Sequence, residues 1–280
     1  GAGENRTGTD EMHVLITGAG GHLGRKLFDF LEADDRFTVN GLDIRPADHP
    51  NIHLADMSAS PDWKTLLDGV DVIVHLAGDR EPTASWASSV KNNMDATLEL
   101  YHQAAQMGVS RVVLASSNWI HGDKRFTDDL LNASTPPGPV NAYGMSKLFC
   151  ERTGAYFAEH HGLSVICLRI GWTQWTHNNR PGAHMAMGRW GQEMWLSDRD
   201  FLEGIKAAVV AEGVRFAALN LMSNNPGMRW DMRETKDAIG FEPQDGARPT
   251  MNIKLGFQAR LKKLVRFSLP QWFERRFPSW

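Results

Sequence analysis

Short apolar runs alternate along this chain with longer segments in which apolar residues recur every three or four positions. Continuous apolar runs are typical of buried parallel strands, and the longer pattern is typical of amphipathic helices. The predicted strands are Val14–Ile16, Val39–Leu42, Val70–Leu76, Val112–Ala115, Val165–Ile170 and Phe216–Leu221. The predicted helices are His22–Leu31, Ser85–Met107, Tyr143–His161, Asp198–Glu212 and Trp230–Ile239. This alternation predicts an α/β fold built on a doubly wound parallel sheet.

A glycine cluster stands between the first predicted strand and the first predicted helix. Gly18, Gly21 and Gly24 fit the spacing G-x-x-G-x-x-G, although the commoner spacing G-x-G-x-x-G fails at Leu23. Glycine allows close approach of the backbone, and the start of the helix offers unpaired amides and the positive end of its dipole. The cluster therefore predicts a pyrophosphate-binding loop and a Rossmann-type dinucleotide site.

Two aspartates follow at positions where a dinucleotide is recognised. Asp43 ends the second predicted strand, where its carboxylate can accept hydrogen bonds from both adenosine ribose hydroxyls and repels a 2′-phosphate. This favours NAD over NADP, although Arg45 keeps NADP open. Asp56 has two interpretations of equal weight: it binds the adenine amine, or it caps a turn.

A serine, a tyrosine and a lysine make the second chemical signal. Tyr143 and Lys147 are at i and i+4, so they share one face of a predicted helix. The ammonium can stabilise a phenolate, which then acts as a general base near neutral pH. Ser117, at the end of a predicted strand, can hydrogen-bond the same substrate oxygen. A Y-x-x-x-K pair alone is usually structural, but its order after the glycine cluster and the strand-end serine indicates an active site.

At these residues the chain resembles the extended short-chain dehydrogenase/reductase family, also called the NAD-dependent epimerase/dehydratase family. The matching motifs span about residues 12–250 and read TGAGGHLG, LAD, HLAG, KNNMDAT, ASSN and YGMSK. The resemblance implies that Tyr143 is the acid/base, that Lys147 supports it and that Ser117 orients the substrate. It also implies NAD binding by Gly18, Gly20, Gly21, His22, Leu23, Gly24, Asp43, Asp56, Met57, Leu76, Ala77, Gly78, Asn93, Tyr143, Lys147 and Ile170.

Within that family, the chain is most similar to uronate dehydrogenases and to short-chain-type NAD-dependent glucose-6-phosphate dehydrogenases. HLAGD, SSN, LRIG, GQEMWLSDRD and GFEPQD carry this similarity, whereas Trp119 and the Asp79-Arg80 pair depart from the uronate dehydrogenase pattern. The similarity implies hydride transfer from C1 of a sugar to NAD, giving a lactone, with a uronic acid or a sugar phosphate as substrate. We expect the substrate to be bound by Arg80, Ser117, Asn118, Trp119 and Arg189, with Arg180 as a further guanidinium for an anionic sugar.

Two other functions stay open. An epimerase or dehydratase acting on a nucleotide sugar uses the same serine, tyrosine and lysine, but the strand end Ser117-Asn118-Trp119 offers no second acid. A regulator that senses NAD without turnover predicts a broken catalytic set, whereas Ser117, Tyr143 and Lys147 are all present. A dehydrogenase is therefore the favoured interpretation.

Composition and charge narrow the remaining possibilities. The 280 residues are 42% hydrophobic and 22% charged with a net charge of −3, which excludes a disordered chain and gives no reason to expect nucleic acid. Two cysteines, Cys150 and Cys167, match neither a disulfide framework nor a zinc pattern. We therefore expect no metal and a reducing, cytoplasmic location. No apolar run is long enough to span a membrane.

The chain divides into four predicted parts. Residues 1–11 are interpreted as a leader or a cloning remnant, 12–170 as the NAD-binding domain, 171–256 as the substrate-binding part and 257–280 as a basic amphipathic tail. In the tail, Glu274 is the one acidic residue among many basic ones. Docking of the tail on its own domain or on another copy is favoured over contact with a membrane surface. The family resemblance implies a homodimer formed through the helices near Ser85–Met107 and Tyr143–His161.

Overall fold

The structure, a computed structural model, describes residues 11–59, 61–174, 179–182, 185, 188–250, 254 and 257. The strands are β1 (Met12–Thr17), β2 (Phe37–Asp43), β3 (Ile52–Leu54), β4 (Val72–His75), β5 (Arg111–Ser117), β6 (Ser164–Ile170) and β7 (Phe216–Leu221). They form one sheet in the order β3-β2-β1-β4-β5-β6-β7, and every neighbouring pair is parallel. The strand order reverses between β1 and β4, as in other doubly wound sheets. The predicted fold class is therefore confirmed.

Helices connect these strands across both faces of the sheet. They are α1 (His22–Glu32), α2 (Trp86–Ser88), α3 (Ala96–Gln106), α4 (Ala142–His160), α5 (Gly188–Glu193), α6 (Asp198–Val210) and α7 (Arg233–Ile239). Two 3-10 segments, Pro61–Leu67 and Asn118–Phe126, and a π-helical stretch, Ser89–Asp95, complete the described connections. The single helix predicted over Ser85–Met107 is therefore α2, the π-helical stretch and α3 in succession. Within the described part of the chain, none of the helices is both long and apolar enough to cross a membrane.

Each strand at the centre of the sheet is buried on both faces. In β1, Val14 and Ile16 pack in a cluster with residues of α1 and α6, whereas Leu15 packs on the opposite face with residues of α3 and α4. Because both faces of the strand are buried, its residues form a continuous apolar run and do not alternate between apolar and polar. Strand β3 was not predicted, because it has three residues and only Ile52 among them is buried.

The chain after residue 170 returns to the same sheet. Strand β7 pairs with β6 along Val165 to Ile170, and α6 packs on the face that α1 covers. A smaller cluster of Leu131, Trp190, Met194, Met222 and Trp230 lies next to the carboxyl end of β6. The two predicted parts thus share one sheet, and the assignment of residues 171–256 to the substrate stays a prediction. Residues 1–10 and, apart from Phe257, the tail lie outside the described residues.

Candidate active site

The glycine loop lies at the carboxyl end of β1, beside the loop that follows β4. Gly18 has a φ of +73°, and a Cβ added to it would lie 2.9 Å from the backbone nitrogen of Ala77. A Cβ on Gly24 would lie 2.0 Å from the carbonyl oxygen of Gly18. Both positions therefore require glycine, since the two backbones are in contact.

Helix α1 begins at His22, and no described side chain caps its start or places a negative charge in its first turn. The unpaired amides and the helix dipole there are suited to an anion. The His22 ring nitrogen Nε2 donates to the carbonyl oxygen of Gln174 at 3.2 Å. Burial, and next the charge of Lys26, lower the pKa of His22, and Arg80 contributes in the same direction. The charge of Asp198, which pairs with Lys26 at 2.6 Å, acts in the opposite direction.

The carboxylate of Asp43 faces the glycine loop. The side chain is 5% exposed; Oδ2 accepts from the amide of Gly20 at 3.0 Å, and Oδ1 accepts from the amide of Arg45 at 3.0 Å. The guanidinium of Arg45 lies 3.6 Å from the same Oδ1. Two backbone donors therefore fix the carboxylate beside the loop, where the predicted ribose position lies.

Asp56 forms the turn after β3. It accepts from the amide of Ser58 at 2.8 Å and from the Ser58 hydroxyl at 2.7 Å, and these bonds lower the pKa of Asp56. This geometry agrees with the turn interpretation, and an adenine contact stays a prediction. Ile44 and Leu54, at the ends of β2 and β3, are 67% and 66% exposed. The sequence alone does not single out these two apolar side chains, because apolar residues are equally typical of buried strand positions.

A buried histidine holds the loop that follows β4. His75 Nδ1 lies 2.7 Å from Thr17 Oγ1, and His75 Nε2 lies 3.0 Å from Thr97 Oγ1. Thr17 Oγ1 also accepts from the amide of Ala77 at 3.2 Å. Burial lowers the pKa of His75 to about 3, so the ring is neutral in the folded protein at physiological pH.

Asn93 acts on the same loop through protein contacts. Its Oδ1 accepts from the amide of Asp79 at 2.7 Å, and its Nδ2 donates to the Asp79 carbonyl at 3.0 Å and to Ser146 Oγ at 2.9 Å. A Cβ on Gly78 would lie 2.6 Å from Asn93 Oδ1. Asn93 therefore links the β4 loop to α4, and its contribution to cofactor binding stays a prediction. The Asp79 carboxylate accepts hydrogen bonds from the hydroxyl of Ser88 and from the amide of Glu81.

We expect the buried neutral ring of His75 to make the protein acid-sensitive. The pKa of an unfolded histidine is near 6.5, and the folded value is about 3. The stability is therefore fully present above about pH 6.5 and falls by up to ~1.4 kcal/mol per pH unit as the pH decreases below it. Urea unfolding between pH 7 and 4.5 should give this slope for the wild type in excess of the slope for His75→Gln. Parallel stability curves for the two proteins would contradict the assignment, because other titrating groups are shared.

The three predicted catalytic residues lie where α4 crosses the end of β5. Ser117 ends β5, and Tyr143 and Lys147 are 8% exposed on the first turns of α4. Lys147 Nζ donates to the carbonyl oxygen of Ala115 at 2.9 Å and lies 5.7 Å from the centre of the Tyr143 ring. Asn141 caps α4 by accepting from the amide of Gly144 at 2.7 Å, which fixes the turn that carries Tyr143.

Glycine again brings two backbones together at this point. A Cβ on Gly144 would lie 2.5 Å from the carbonyl oxygen of Trp119. The turn with Tyr143 thus packs directly on the segment that follows Ser117. The amide of Trp119 donates to Ser117 Oγ at 3.3 Å. The structure therefore brings the predicted serine, tyrosine and lysine into one corner of the sheet edge.

The predicted substrate residues have different surroundings. Asn118 is buried, and its Nδ2 donates to the carbonyl of Ile170 at 2.7 Å, while its Oδ1 is buried without a partner among the described residues. Trp119 is half-buried, and the guanidinium of Arg125 lies 5.6 Å from its ring centre. Arg189 is 66% exposed, and its Nε lies 2.5 Å from Oε1 of the buried Glu193.

The other two predicted arginines lie on the surface. Arg180 is exposed and follows Asn179, whose φ is +40°. Arg80 is 58% exposed, with Nε 3.4 Å from Oε1 of Glu81. Because the charge of Arg80 acts on His22, Arg80 lies on the side of the glycine loop. Among the described residues, no group of acidic, histidine or cysteine side chains is arranged to hold a metal ion.

Fold and site together define an α/β protein in which a dinucleotide-binding loop stands beside a serine, a tyrosine and a lysine. The chain belongs to the NAD dependent epimerase/dehydratase family, whose model matches residues 14–173. The family predicted from the motifs is therefore confirmed.

Two proteins and one solved structure are similar to this chain over most of its length. An L-arabinose 1-dehydrogenase (NAD(P)(+)) of Haloferax volcanii is 31% identical over 248 residues, which cover 84% of this chain and 97% of that protein. An NAD-dependent glucose-6-phosphate dehydrogenase of the same organism is 30% identical over 257 residues, 85% of this chain and 95% of the relative. A solved structure of a mutated uronate dehydrogenase superposes with a TM-score of 0.73 at 27% identity, covering 84% of this chain and 82% of that one. The predicted similarity to uronate and glucose-6-phosphate dehydrogenases is thus confirmed.

Proposed function

We propose that the protein is an NAD-dependent dehydrogenase that oxidises a sugar at C1 and releases the lactone. The observation that carries this proposal is the position of Lys147. Its ammonium is fixed on the carbonyl of Ala115 and held near the ring of Tyr143, beside the strand-end hydroxyl of Ser117. A fixed positive charge there favours the phenolate that base catalysis needs. The dehydrogenases among the relatives agree with this chemistry.

The residues at the sheet edge fit NAD. Neither Gly18 nor Gly24 has room for a Cβ atom, and the uncapped start of α1 fits a diphosphate. The carboxylate of Asp43 fits the ribose hydroxyls, and the exposed apolar side chains of Ile44 and Leu54 fit an adenine ring. When bound, NAD supplies the acceptor for a hydride.

The chain's own residues move the proton. In the proposed reaction, the Ser117 hydroxyl hydrogen-bonds the C1 oxygen of the sugar, and the Tyr143 phenolate takes the proton from that oxygen. The C1–H bonding pair leaves as hydride while the C1–O bond becomes a carbonyl. The sugar thus loses one hydride and one proton, which balances an oxidation by two electrons. Lys147 stabilises the phenolate before the transfer and is not itself consumed.

An anionic sugar is the proposed substrate. The buried carboxylate of Glu193 is contacted by Arg189 and, at 3.3 Å, by Arg229. Two guanidiniums on one carboxylate leave a net positive charge in this cluster. Arg189 is its exposed member, so this positive charge is accessible at the surface. A guanidinium oriented in this way is suited to the carboxylate of a uronic acid or to the phosphate of a sugar phosphate.

Absorbance of the reduced nicotinamide tests both parts of the proposal. Purified protein with NAD is mixed in turn with glucuronate, galacturonate, glucose 6-phosphate, L-arabinose and glucose. Turnover with an acidic or phosphorylated sugar supports the full proposal. Turnover with the neutral sugars alone keeps the dehydrogenase but removes the anionic substrate. No turnover with any of them, together with conversion of a nucleotide sugar, would favour an epimerase instead.

We also propose that the protein is a homodimer. Four apolar side chains on α2, α4 and the π-helical stretch are 40–58% exposed: Trp86, Val90, Met145 and Tyr156. Exposed apolar side chains on neighbouring helices are suited to an isologous contact with a second copy. Sedimentation velocity should give about twice the chain mass of 31.3 kDa. A single species at the monomer mass over the micromolar range would contradict the proposal.

The cysteines support a reducing location. Cys150 and Cys167 are free and buried, and burial raises the pKa of both thiols. Neither is suited to a structural disulfide or to reactive thiol chemistry. We therefore propose the cytoplasm. Localisation of a fluorescent fusion of the full-length protein outside the cytoplasm would refute this.

A further inference from the structure

Helix α4 contacts the end of β5 through two successive turns. Tyr143, Lys147 and Glu151 are spaced four residues apart, so they lie on one face of the helix. Lys147 bonds the carbonyl of Ala115, and Glu151 Oε1 accepts from the hydroxyl of Ser116 at 2.6 Å. The helix face that carries Tyr143 thus meets two of the last residues of the strand that carries the predicted catalytic serine.

Glu151 is the partner of a buried arginine on the next strand. Arg169 Nε lies 3.0 Å from Glu151 Oε1, and Arg169 Nη2 lies 2.9 Å from Oε2. The two side chains are 5% and 4% exposed. Arg169 stands beside Ser116 in the β5–β6 register. The pair therefore joins α4, β5 and β6 one residue away from Ser117.

Asn118 extends this connection on the other side of Ser117. Its Nδ2 is 3.3 Å from the carbonyl of Arg169. The side chains before and after the serine are consequently tied to the two members of the pair, Ser116 to Glu151 and Asn118 to the backbone of Arg169. A buried bidentate pair is costly to break, since the partner that remains is left as an unpaired charge.

We propose that Glu151 and Arg169 are positioning residues for the catalytic set. They fix the end of β5 against the face of α4 that carries Tyr143 and Lys147, and they cancel each other's charge, so that Lys147 dominates the field at the phenol. This inference rests on the proposed function. Glu151 is two helical turns from Tyr143, a separation of about 12 Å along the axis.

Other titratable groups packed around the pair are neutral in the pH range of interest. Burial lowers the pKa of His121, on the segment after β5. Burial raises the pKa values of Cys150 on α4, Cys167 on β6 and Tyr101 on α3. The charges that act on these groups or on the pair come from Lys147 on α4, which acts on Cys150, from Asp123 on the segment after β5, which acts on His121, and from Glu234 on α7, which acts on Arg169. Removing one member of the pair therefore changes the charge near the phenol by one unit.

The first experiment replaces Glu151 by Gln, which keeps the shape and leaves Arg169 charged. The added positive charge favours the phenolate, so we expect the titration midpoint of Tyr143 to fall by about one pH unit. Phenolate absorbance reports it directly, after subtraction of the same variant carrying Tyr143→Phe. The chain has three tyrosines, so the subtraction is clean. The midpoint of kcat/KM against pH should fall equally.

The second experiment replaces Arg169 by Lys, which keeps the charge but loses the bidentate geometry. We expect an unchanged phenolate midpoint, a decrease in kcat of about tenfold and an unchanged KM for NAD, because a small misplacement lowers the rate without weakening cofactor binding. Glu99→Gln is the control, because it removes from α3 a partly exposed carboxylate that pairs with Lys64 of the 3-10 segment Pro61–Leu67. It should leave both the midpoint and kcat unchanged.

The outcomes separate positioning from a purely structural role. A lower free energy of unfolding in Glu151→Gln with a wild-type phenolate midpoint would overturn the proposal. If that variant does not fold, the double variant Glu151→Gln/Arg169→Met, in which both side chains are neutral, is measured instead. We expect it to have the wild-type phenolate midpoint and a lowered kcat. An unchanged kcat in this double variant would overturn the proposal. The phenolate titration needs neither sugar nor NAD. A midpoint shift in a protein that oxidises no sugar would thus contradict the proposed function and not this inference.

Discussion

Replacing Tyr143 by Phe should lower kcat for sugar oxidation by about 10³-fold, because a positioned general base contributes between about 10² and 10⁴. The aromatic ring stays in its place on α4, 8% exposed, so packing is preserved. The proton of the C1 hydroxyl then has no acceptor at this position. We expect the dissociation constant for NAD to change little, since the loop from Gly18 to Gly24 and Asp43, which we propose to bind the other end of the cofactor, are unchanged.

Two measurements check this result. Stopped-flow or steady-state nicotinamide absorbance gives kcat, and isothermal titration with NAD gives binding. Tyr156→Phe is the matched control, since Tyr156 lies on the same helix but is 53% exposed and has no part in the site. A Tyr143→Phe variant with more than a tenth of the wild-type kcat would remove the phenol from the mechanism.

The sheet and the two chemical signals were predictable because each has a local cause. A strand buried on both faces must be apolar throughout, as Val14, Leu15 and Ile16 are. A loop whose backbone touches another backbone must contain glycine, as at Gly18 and Gly24. In both cases the constraint fixes the type of residue at positions that lie close together in sequence. It is therefore visible in the sequence even where the contacting residue, such as Ala77 for Gly18, is distant.

Contacts between distant segments leave no such pattern. Cofactor binding by Asn93 stays a prediction, whereas its hydrogen bonds with the backbone of Asp79 and the hydroxyl of Ser146 could not be predicted from the sequence. In the sequence, nothing distinguishes Glu151 from other polar helix residues, because only the fold places Arg169 against it. Hydrogen-bond and ion-pair partners of this kind are brought together by the tertiary structure, so the spacing of residues along the chain does not predict them.

The final expectation concerns the choice of cofactor. Asp43→Ser should lower the ratio of kcat/KM for NAD to kcat/KM for NADP by about 10²-fold, because placing like charges together costs several kcal/mol. In the wild type, the carboxylate accepts a hydrogen bond from the amide of Gly20, and we expect it to repel a 2′-phosphate at this position. Its removal frees Arg45, which lies 3.6 Å from Asp43 Oδ1 and is 70% exposed, to bind that phosphate. Serine still accepts a hydrogen bond from a ribose hydroxyl, so NAD binding is weakened and not lost.

Arg45 provides the control through a double-mutant cycle. Arg45→Ala alone should leave the NAD reaction nearly unchanged, whereas Asp43→Ser/Arg45→Ala should lose most of the gain with NADP. Equal NADP activity in the single and double variants would show that relief of repulsion, and not the arginine, accounts for the change. No gain with NADP in Asp43→Ser would contradict the placement of the ribose at Asp43. The relative named L-arabinose 1-dehydrogenase (NAD(P)(+)) indicates that the choice of cofactor varies within the family.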